Sequence, residues 1–411
     1  MDIQNATKII GNGGVVTGIE LKMLNTSKLG AGGPLEAFGP GVIDLVYQFT
    51  MPGQSSPEYH LAANSYPVGN NDPINSSHVA YTFNFPPALY IPVGAHDLAI
   101  TLVFRGKLGN EPDGIVAKRL SAKSRIAFDR RVNSVSYIYT MSPDSSNIVQ
   151  IAKTSLGAWA YNPAWSPDGL KLAFVTQSDG LITAIYLVNL DGTGVSSLSY
   201  HDPNFWVDLD NNPLASPVPM ESLAFSPDGT KVVVAVGNLT YDALVILDVA
   251  TNGHSYVNSL AYWSGRNTRI SKPSWSSQNK IVYTASSSSG AENIYTINPD
   301  GSGNMALTNG AQNIDPSWSP DGEWLTFASD RRGNGSFEIW FMDKNGSPGS
   351  TEQFMECPSD CTNPSFSPDG NTISFGYGGD IYIVNLDGTG LNPITSSGDL
   401  DNPAWSPEYL Q

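Results

Sequence analysis

The sequence predicts an all-β chain: a β-sandwich domain over residues 1–120, then a six-bladed β-propeller over residues 121–411 that is closed by the C-terminal strand. Three observations carry this reading. A strand ending in an aromatic residue and a Ser-Pro-Asp-Gly turn recurs from Trp165 onward. Each copy but the last is followed by further strand-like runs and a second turn. The last copy is an inner strand alone, while the first set of strands lacks one.

The repeat is fullest where Asp315-Pro316-Ser317-Trp318-Ser319-Pro320-Asp321-Gly322 leads into Trp324-Leu325-Thr326-Phe327-Ala328 and then Glu338-Ile339-Trp340-Phe341-Met342-Asp343. Its aromatic position runs through Trp165, Phe225, Trp275, Trp318, Phe366 and Trp405 at steps of 39 to 60 residues, the length of a four-stranded blade with loop insertions. Pro presets one turn dihedral and Gly permits positive φ, so each inner strand hairpins into a second. The second strand is apolar, as in Val232-Val233-Val234-Ala235, the pattern of a strand covered on both faces. A third alternates at period two into an Asp-Gly turn, as in Ile185-Tyr186-Leu187-Val188-Asn189-Leu190-Asp191-Gly192, and a weaker outer strand such as Met305-Ala306-Leu307-Thr308 completes four. Asp168, Asp228, Asp321 and Asp369, like Asp191, Asp300 and Asp387, are therefore read as turn residues. Blade four departs with Ser276-Ser277-Gln278-Asn279 and blade three with Leu223 where the others carry Pro; neither breaks the architecture.

Residues 1–120 hold no copy of the repeat, yet Gly14 to Leu21, Val42 to Phe49, Val79 to Phe85 and Leu98 to Phe104 alternate like sandwich strands. The polar stretch from Pro52 to Ser77 reads as a long crossover or binding loop. Ile115 to Leu120 reads as a last strand, with the domain boundary at Ser121 to Ser124. Arg125 to Asp129, Tyr137 to Asp144 and Ile148 to Ile151 then match the second, third and outer strands of a blade without an inner one. Asn402 to Pro407 supplies it, which closes the ring and leaves no open edge.

With these repeats the chain resembles the TolB-type propellers, PD40-type relatives of the WD-repeat family, over roughly residues 121–411. No family is recognised in residues 1–120. The resemblance implies the fold closely and the function loosely, since such propellers resemble scaffolds, periplasmic binding proteins, gating domains of prolyl oligopeptidases and a few polysaccharide lyases. It also implies a bacterial protein of the periplasm or the exterior.

Composition narrows the partners. With 21 basic against 38 acidic residues, the formal charge of -17 repels phosphate backbones and anionic lipid, so nucleic acid and membrane surfaces are not expected partners. No apolar run approaches the roughly 20 residues that cross a bilayer. Met1-Asp2-Ile3-Gln4 lacks the basic start and apolar core of a signal peptide, so export would rely on a signal outside this sequence.

In the strand order of such blades, the Ser-Pro-Asp-Gly and Asp-Gly turns share one face and the outer-to-inner connections share the other. The excess length falls in two such connections, Ser199 to Glu221 and Ser255 to Ser271, and the Asp330 to Gly335 loop is expected on the same face. Function is placed there. The expected binding residues are Tyr200, His201, Phe205, Trp206 and Asp208, then Tyr262, Trp263, Arg266 and Arg269, with Arg331 and Arg332 from the third loop. Aromatic residues and Arg dominate binding hot spots. The alternative is that Phe205, Trp206 and Trp263 fold back as the loops' own core.

No metal, cofactor or catalytic residue is expected. Asp208-Leu209-Asp210-Asn211-Asn212 opens like a calcium loop, but Pro213 stands where the turn needs Gly and Pro219 at the twelfth position. Of five histidines only His201 and His254 lie in the propeller, and no Gly-x-Ser-x-Gly nucleophile turn is present. Cys357 and Cys361 are spaced for a local disulfide, which would suggest export, with paired free thiols as the alternative. The chain is thus expected to be an exported, monomeric, non-enzymatic binding or scaffold protein whose loop-rich face meets a protein or glycan. The alternative is a carbohydrate- or peptide-cleaving enzyme working at the central channel, and three or more His, Asp or Glu around one void there would reverse the preference.

Overall fold

The computed structural model describes residues 2–10, 16–24, 41–50, 58–68, 78–84, 96–106, 114–133, 135–151, 159–177, 183–198, 220–238, 241–250, 254–256, 269–286, 290–407 and 409–410. The chain forms two units, residues 1–123 with 408–411, and residues 124–407. Every described element is a strand, and among the described residues no helix is long and apolar enough to cross a membrane.

In the first unit eight strands follow the order Glu58–Val68, Gly41–Thr50, His96–Gly106, Gly114–Lys123, Tyr409–Leu410, Asp2–Ile10, Val16–Leu24, His78–Asn84. We propose a sandwich of its two halves. Three elements differ from expectation. Asp2–Ile10 is a strand where none was expected, paired antiparallel with Val16–Leu24. Glu58–Val68 is a strand inside the stretch expected to be a loop, paired antiparallel with Gly41–Thr50. Its Asn, Ser and Pro content reads as loop, but it is the edge of the order, where Pro67 leaves no ladder bond unmade on a partner. Tyr409–Leu410 pairs with Gly114–Lys123 and with Asp2–Ile10, so the residues after Pro407 go with this unit and not with the propeller to which the repeat assigns them.

The second unit is the six-bladed propeller. Blade one takes its inner strand from Leu400–Trp405, which pairs with Ile126–Val132, and Val135–Met141 and Val149–Gln150 complete it. The inner strands of blades two to six are Trp159–Trp165, Met220–Phe225, Ile270–Trp275, Asn313–Trp318 and Cys361–Phe366, each followed by three more strands in antiparallel order. The turn chemistry shows why. In blade two Asp168 Oδ1 accepts from Ser166 Oγ at 2.6 Å and from the Leu170 N–H at 3.0 Å, and Gly169 has φ 72°. Ser226/Asp228, Ser319/Asp321 and Ser367/Asp369 repeat that arrangement. Blade four, lacking the motif, puts Asn279 at φ 60° and holds its side chain with Trp275 Nε1 at 2.9 Å.

Apolar cores lie between neighbouring blades. Val175, Ile185 and Leu187 of blade two meet Leu223, Val232 and Val245 of blade three, and Val233 and Leu244 of blade three meet Ile281 and Tyr283 of blade four. The same pattern continues round to blade one, where Ile381 and Ile394 of blade six meet Phe128, and Trp165 of blade two meets Ala127. A second strand therefore buries both faces, which is the physical origin of its unbroken apolar run. Cys357 and Cys361 are joined, with Cα atoms 6.1 Å apart, in the connection entering blade six.

Candidate functional site

Each inner strand carries a bulge that aims one side chain at the axis. Its ladder slips by one residue at Tyr161/Ala164, Met220/Ser222, Ser271/Ser274, Ile314/Ser317, Thr362/Ser365 and Asp401/Ala404. In five blades the bulged residue precedes Pro and has positive φ: Asn162 52°, Lys272 50°, Asp315 55°, Asn363 53° and Asn402 53°. Asn and Asp tolerate that region because their short polar side chains bond locally; Lys has no such compensation, so Lys272 is held there by what its side chain meets.

Lys272 donates from Nζ to Asn162 Oδ1 at 2.7 Å and to Asn402 Oδ1, while its backbone N–H reaches Ser222 Oγ at 2.7 Å. Blade four stands opposite blade one in a ring of six, so this side chain crosses the axis. Asn402 Nδ2 in turn donates to Asp129 Oδ1 at 2.7 Å, and Asn363 Nδ2 to Asp401 Oδ1 at 2.9 Å. The backbone N–H of Asn363 donates to Asp315 Oδ2 at 3.1 Å. With the Asn162 Nδ2 bond to the Glu221 carbonyl of blade three at 2.6 Å, one polar network thus ties all six blades.

Four residues of or beside this network, Asn162, Ser222, Lys272 and Asp315, line a cavity of about 120 Å³ together with the wall residues Glu221, Ser271, Ile314, Arg269 and Glu292. In an antiparallel blade the wall residues lie at the end where the connection from the preceding blade arrives. Glu221 and Arg269 follow the two longest connections directly, and they pair across the cavity at 3.0 Å between Nε and Oε2. Glu292 opens the third strand of blade four.

Burial dominates the titration of Asp129, Asp315 and Glu292. It pushes the Asp129 carboxyl from 3.8 up to about 7, opposed by the Asn402 amide and reinforced by the Asp401 charge, with Lys272 and the Asn162 N–H lowering it. Burial also raises Asp315 against Lys272, and raises Glu292 against Arg269 with Asp315 and Glu221 adding to the rise. For Asp129 the sign is set: the folded chain keeps a proton that the unfolded chain releases, so this group's stabilisation is full below about pH 4 and is lost as pH rises through about 7. Asp129→Asn, which keeps an oxygen for Asn402 Nδ2, should flatten the fall in melting temperature between pH 4 and 7 and stabilise the protein at pH 8 by about 4 kcal/mol. A constant gap between variant and parent across that range would disprove the assignment.

Of the residues expected at the site, Tyr200, His201, Phe205, Trp206, Asp208, Tyr262, Trp263 and Arg266 lie outside the described residues. Arg269 is at the cavity wall. Arg331 lies over Trp340 at 4.7 Å and Phe327 at 5.1 Å and donates to Asn313 Oδ1 at 2.6 Å. Arg332 pairs with the fully buried Glu338 at 3.2 Å and with Glu356 at 2.9 Å. These two hold the second hairpin of blade five together. The axial residues Asn162, Lys272, Asp315, Asn363 and Asn402 were absent from the expectation, although a signal existed: each stands before Pro in a copy of the repeat. Glu221, Glu292 and Asp315 put three carboxyl groups around one void, the feature that favours an enzyme, with Arg269 and Lys272 set among them. Among the described residues no group of three or more His, Cys, Asp or Glu is placed to hold a metal ion.

Comparison with known proteins adds to this geometry. The model of the TolB beta propeller domain, PD40, matches residues 207–408. The chain is 25% identical over 266 residues to the uncharacterized protein Atu1656 of Agrobacterium fabrum, which covers 60% of this chain and 80% of that one. It is 37% identical over 79 residues to the Tol-Pal system protein TolB of Rhizorhabdus wittichii, covering 19% of this chain and 17% of TolB. That match takes in less than a fifth of TolB's own length. The crystal structure of TolB from Acinetobacter baumannii superposes with a TM-score of 0.54 at 17% identity, over 76% of this chain and 80% of that one, a likeness of fold.

Proposed function

We propose that this chain, whose propeller is of the TolB type, is an exported periplasmic protein that binds a partner protein on the face where the outer-to-inner connections emerge. The observation that carries the reading is the position of Glu221 and Arg269: the two longest connections end at the rim of one axial cavity. A rigid ring presenting long loops around a charged depression offers a partner shape and charge together, with the loops free to vary. Likeness to a Tol-Pal system protein supports a protein partner in the periplasm. A glycan partner, the other expectation, has no support from these likenesses. Binding as a monomer is part of the proposal.

The test is Trp206→Ala with Trp263→Ala, the aromatic residues expected in those two connections. Partners cross-linked to the parent protein in periplasmic extract are identified and purified, and their affinity for parent and variant is measured by calorimetry. Loss of about 2 kcal/mol or more per residue in a variant that melts like the parent supports the reading. Unchanged affinity in the folded double variant moves the site away from this face, and unfolding of the variant identifies the two rings as loop core.

One observation favours a second reading, cleavage of carbohydrate or peptide at the channel. Three carboxyl groups surround the cavity, and burial raises two of them, Glu292 and Asp315, toward the range of a general acid. Glu292→Gln should then abolish hydrolysis of a panel of uronic oligosaccharides and peptide amides. Absence of turnover by the parent protein on that panel removes the reading for those substrates.

A further inference from the structure

We propose that the axial cavity is a binding site for a small dipolar ion of the α-amino-acid class, its ammonium group on Glu292 and Asp315 and its carboxylate on Arg269 and Lys272. The inference goes beyond the protein-binding reading and does not rest on it.

Lys272 Nζ has three N–H groups, and two are taken by the amide oxygens of Asn162 and Asn402. Arg269 gives Nε to Glu221, and among the described residues its terminal nitrogens have no hydrogen-bond partner, at a side-chain exposure of 61%. On the acidic side, the Glu292 carboxyl accepts no hydrogen bond from the described residues, and Asp315 accepts the Asn363 N–H on Oδ2. Donors and acceptors without a partner among the described residues therefore face one cavity from opposite signs of charge.

A ligand of one sign would desolvate both sets while matching one, and stranding a buried charge is costly. A dipolar ion matches both. Size sets the class. The cavity holds about 120 Å³, and one water requires about 10–15 Å³ by that measure, so the space suits a ligand of about ten non-hydrogen atoms or fewer. The apolar contribution to the lining is Ile314, which leaves room for a small side chain and favours glycine, alanine or serine over larger residues.

Calorimetry on the full chain at pH 7.5 decides the matter with L-alanine as the probe, against ethylamine, acetate, L-alanine amide and N-acetyl-L-alanine. L-alanine is expected to saturate with a Kd of about 1 mM or tighter, a modest demand for six heavy atoms, and each singly charged analogue to bind at least about tenfold more weakly. Glu292→Gln and Arg269→Gln should each weaken L-alanine at least about tenfold while melting within about 2 °C of the parent. The proposal is overturned if L-alanine shows no saturable binding, if any singly charged analogue equals it, or if either folded variant binds it unchanged. Should a variant fail to fold, the analogue series on the parent protein is decisive by itself.

Discussion

Deleting Asp401 to Gln411 is expected to lower the melting temperature by about 10 °C or more and to promote aggregation. The deletion removes the inner strand of blade one beyond Leu400, and with it the ladder pairs Asp401 with Asp129, Ala404 with Ala127 and Trp405 with Ile126. Ile126 and Phe128, now buried, would lie beside an unpaired edge. Trp165 Nε1 loses the Ala404 carbonyl at 3.0 Å, and the Ser406 contacts to the Arg125 backbone are lost. Losses of this kind sum to several kcal/mol, each worth a few degrees in a unit of this size. Removing only Glu408 to Gln411 separates the effects, because it takes Tyr409–Leu410 from the first unit and leaves the ring closed. If the longer deletion melts within about 2 °C of the parent, closure by the C-terminal strand contributes nothing to stability.

The second large effect is expected at Lys272. Lys272→Met removes the cation that opposes the burial of Asp129 and Asp315 and leaves the oxygens of Asn162 and Asn402 without their donor. Breaking a buried charged network by deleting one member costs about 3–5 kcal/mol, which corresponds to a fall of about 6–15 °C. Lys272→Asn separates charge from backbone. Asn is what blades one, two and six carry at this position, and it relieves a φ of 50° that costs Lys about 1 kcal/mol. The Asn variant should therefore lose less than the Met variant by about that amount. An Asn variant more stable than the parent would show that the strained backbone outweighs the network.

The parts of this molecule that were legible in the sequence are those decided within a few residues. Ser-Pro-Asp-Gly specifies its turn because Ser166 and Asp168 bond each other and the chain two to five residues on, so blade count, strand order and ring closure can be read from local text. The strand Glu58–Val68 was not legible because its Asn, Ser and Pro residues carry a loop signature that an edge position overrides. The axial cavity was hidden for another reason. Asn162, Glu221, Lys272 and Asp315 come from four blades and are 153 residues apart from first to last in sequence, so only the closed ring brings them to one void. Lys272 itself reads as an ordinary polar residue; its meaning lies in crossing the axis to Asn402, 130 residues away. Arg331 and Arg332 show the converse, residues with the composition of a hot spot whose side chains are occupied by Trp340, Asn313 and Glu338.

The pairing of Leu400–Trp405 with Ile126–Val132 and of Tyr409–Leu410 with Asp2–Ile10 has a consequence for biosynthesis. Ribosomes and translocons deliver a chain from its N-terminus, at about 5–20 residues per second. Strand Ile126–Val132 emerges with its inner partner still to be made, and the edge of Asp2–Ile10 has waited longer still. Both units share one late delivery, because the residues that complete them are separated by Ser406, Pro407 and Glu408 alone. At that rate the Ile126–Val132 edge stays open for roughly fifteen seconds to a minute, and the Asp2–Ile10 edge for roughly twenty to eighty seconds. Over that interval the nascent chain presents sheet edges that any neighbouring strand can occupy, so a holding chaperone matters more to this protein than to one whose first and last strands are close in sequence.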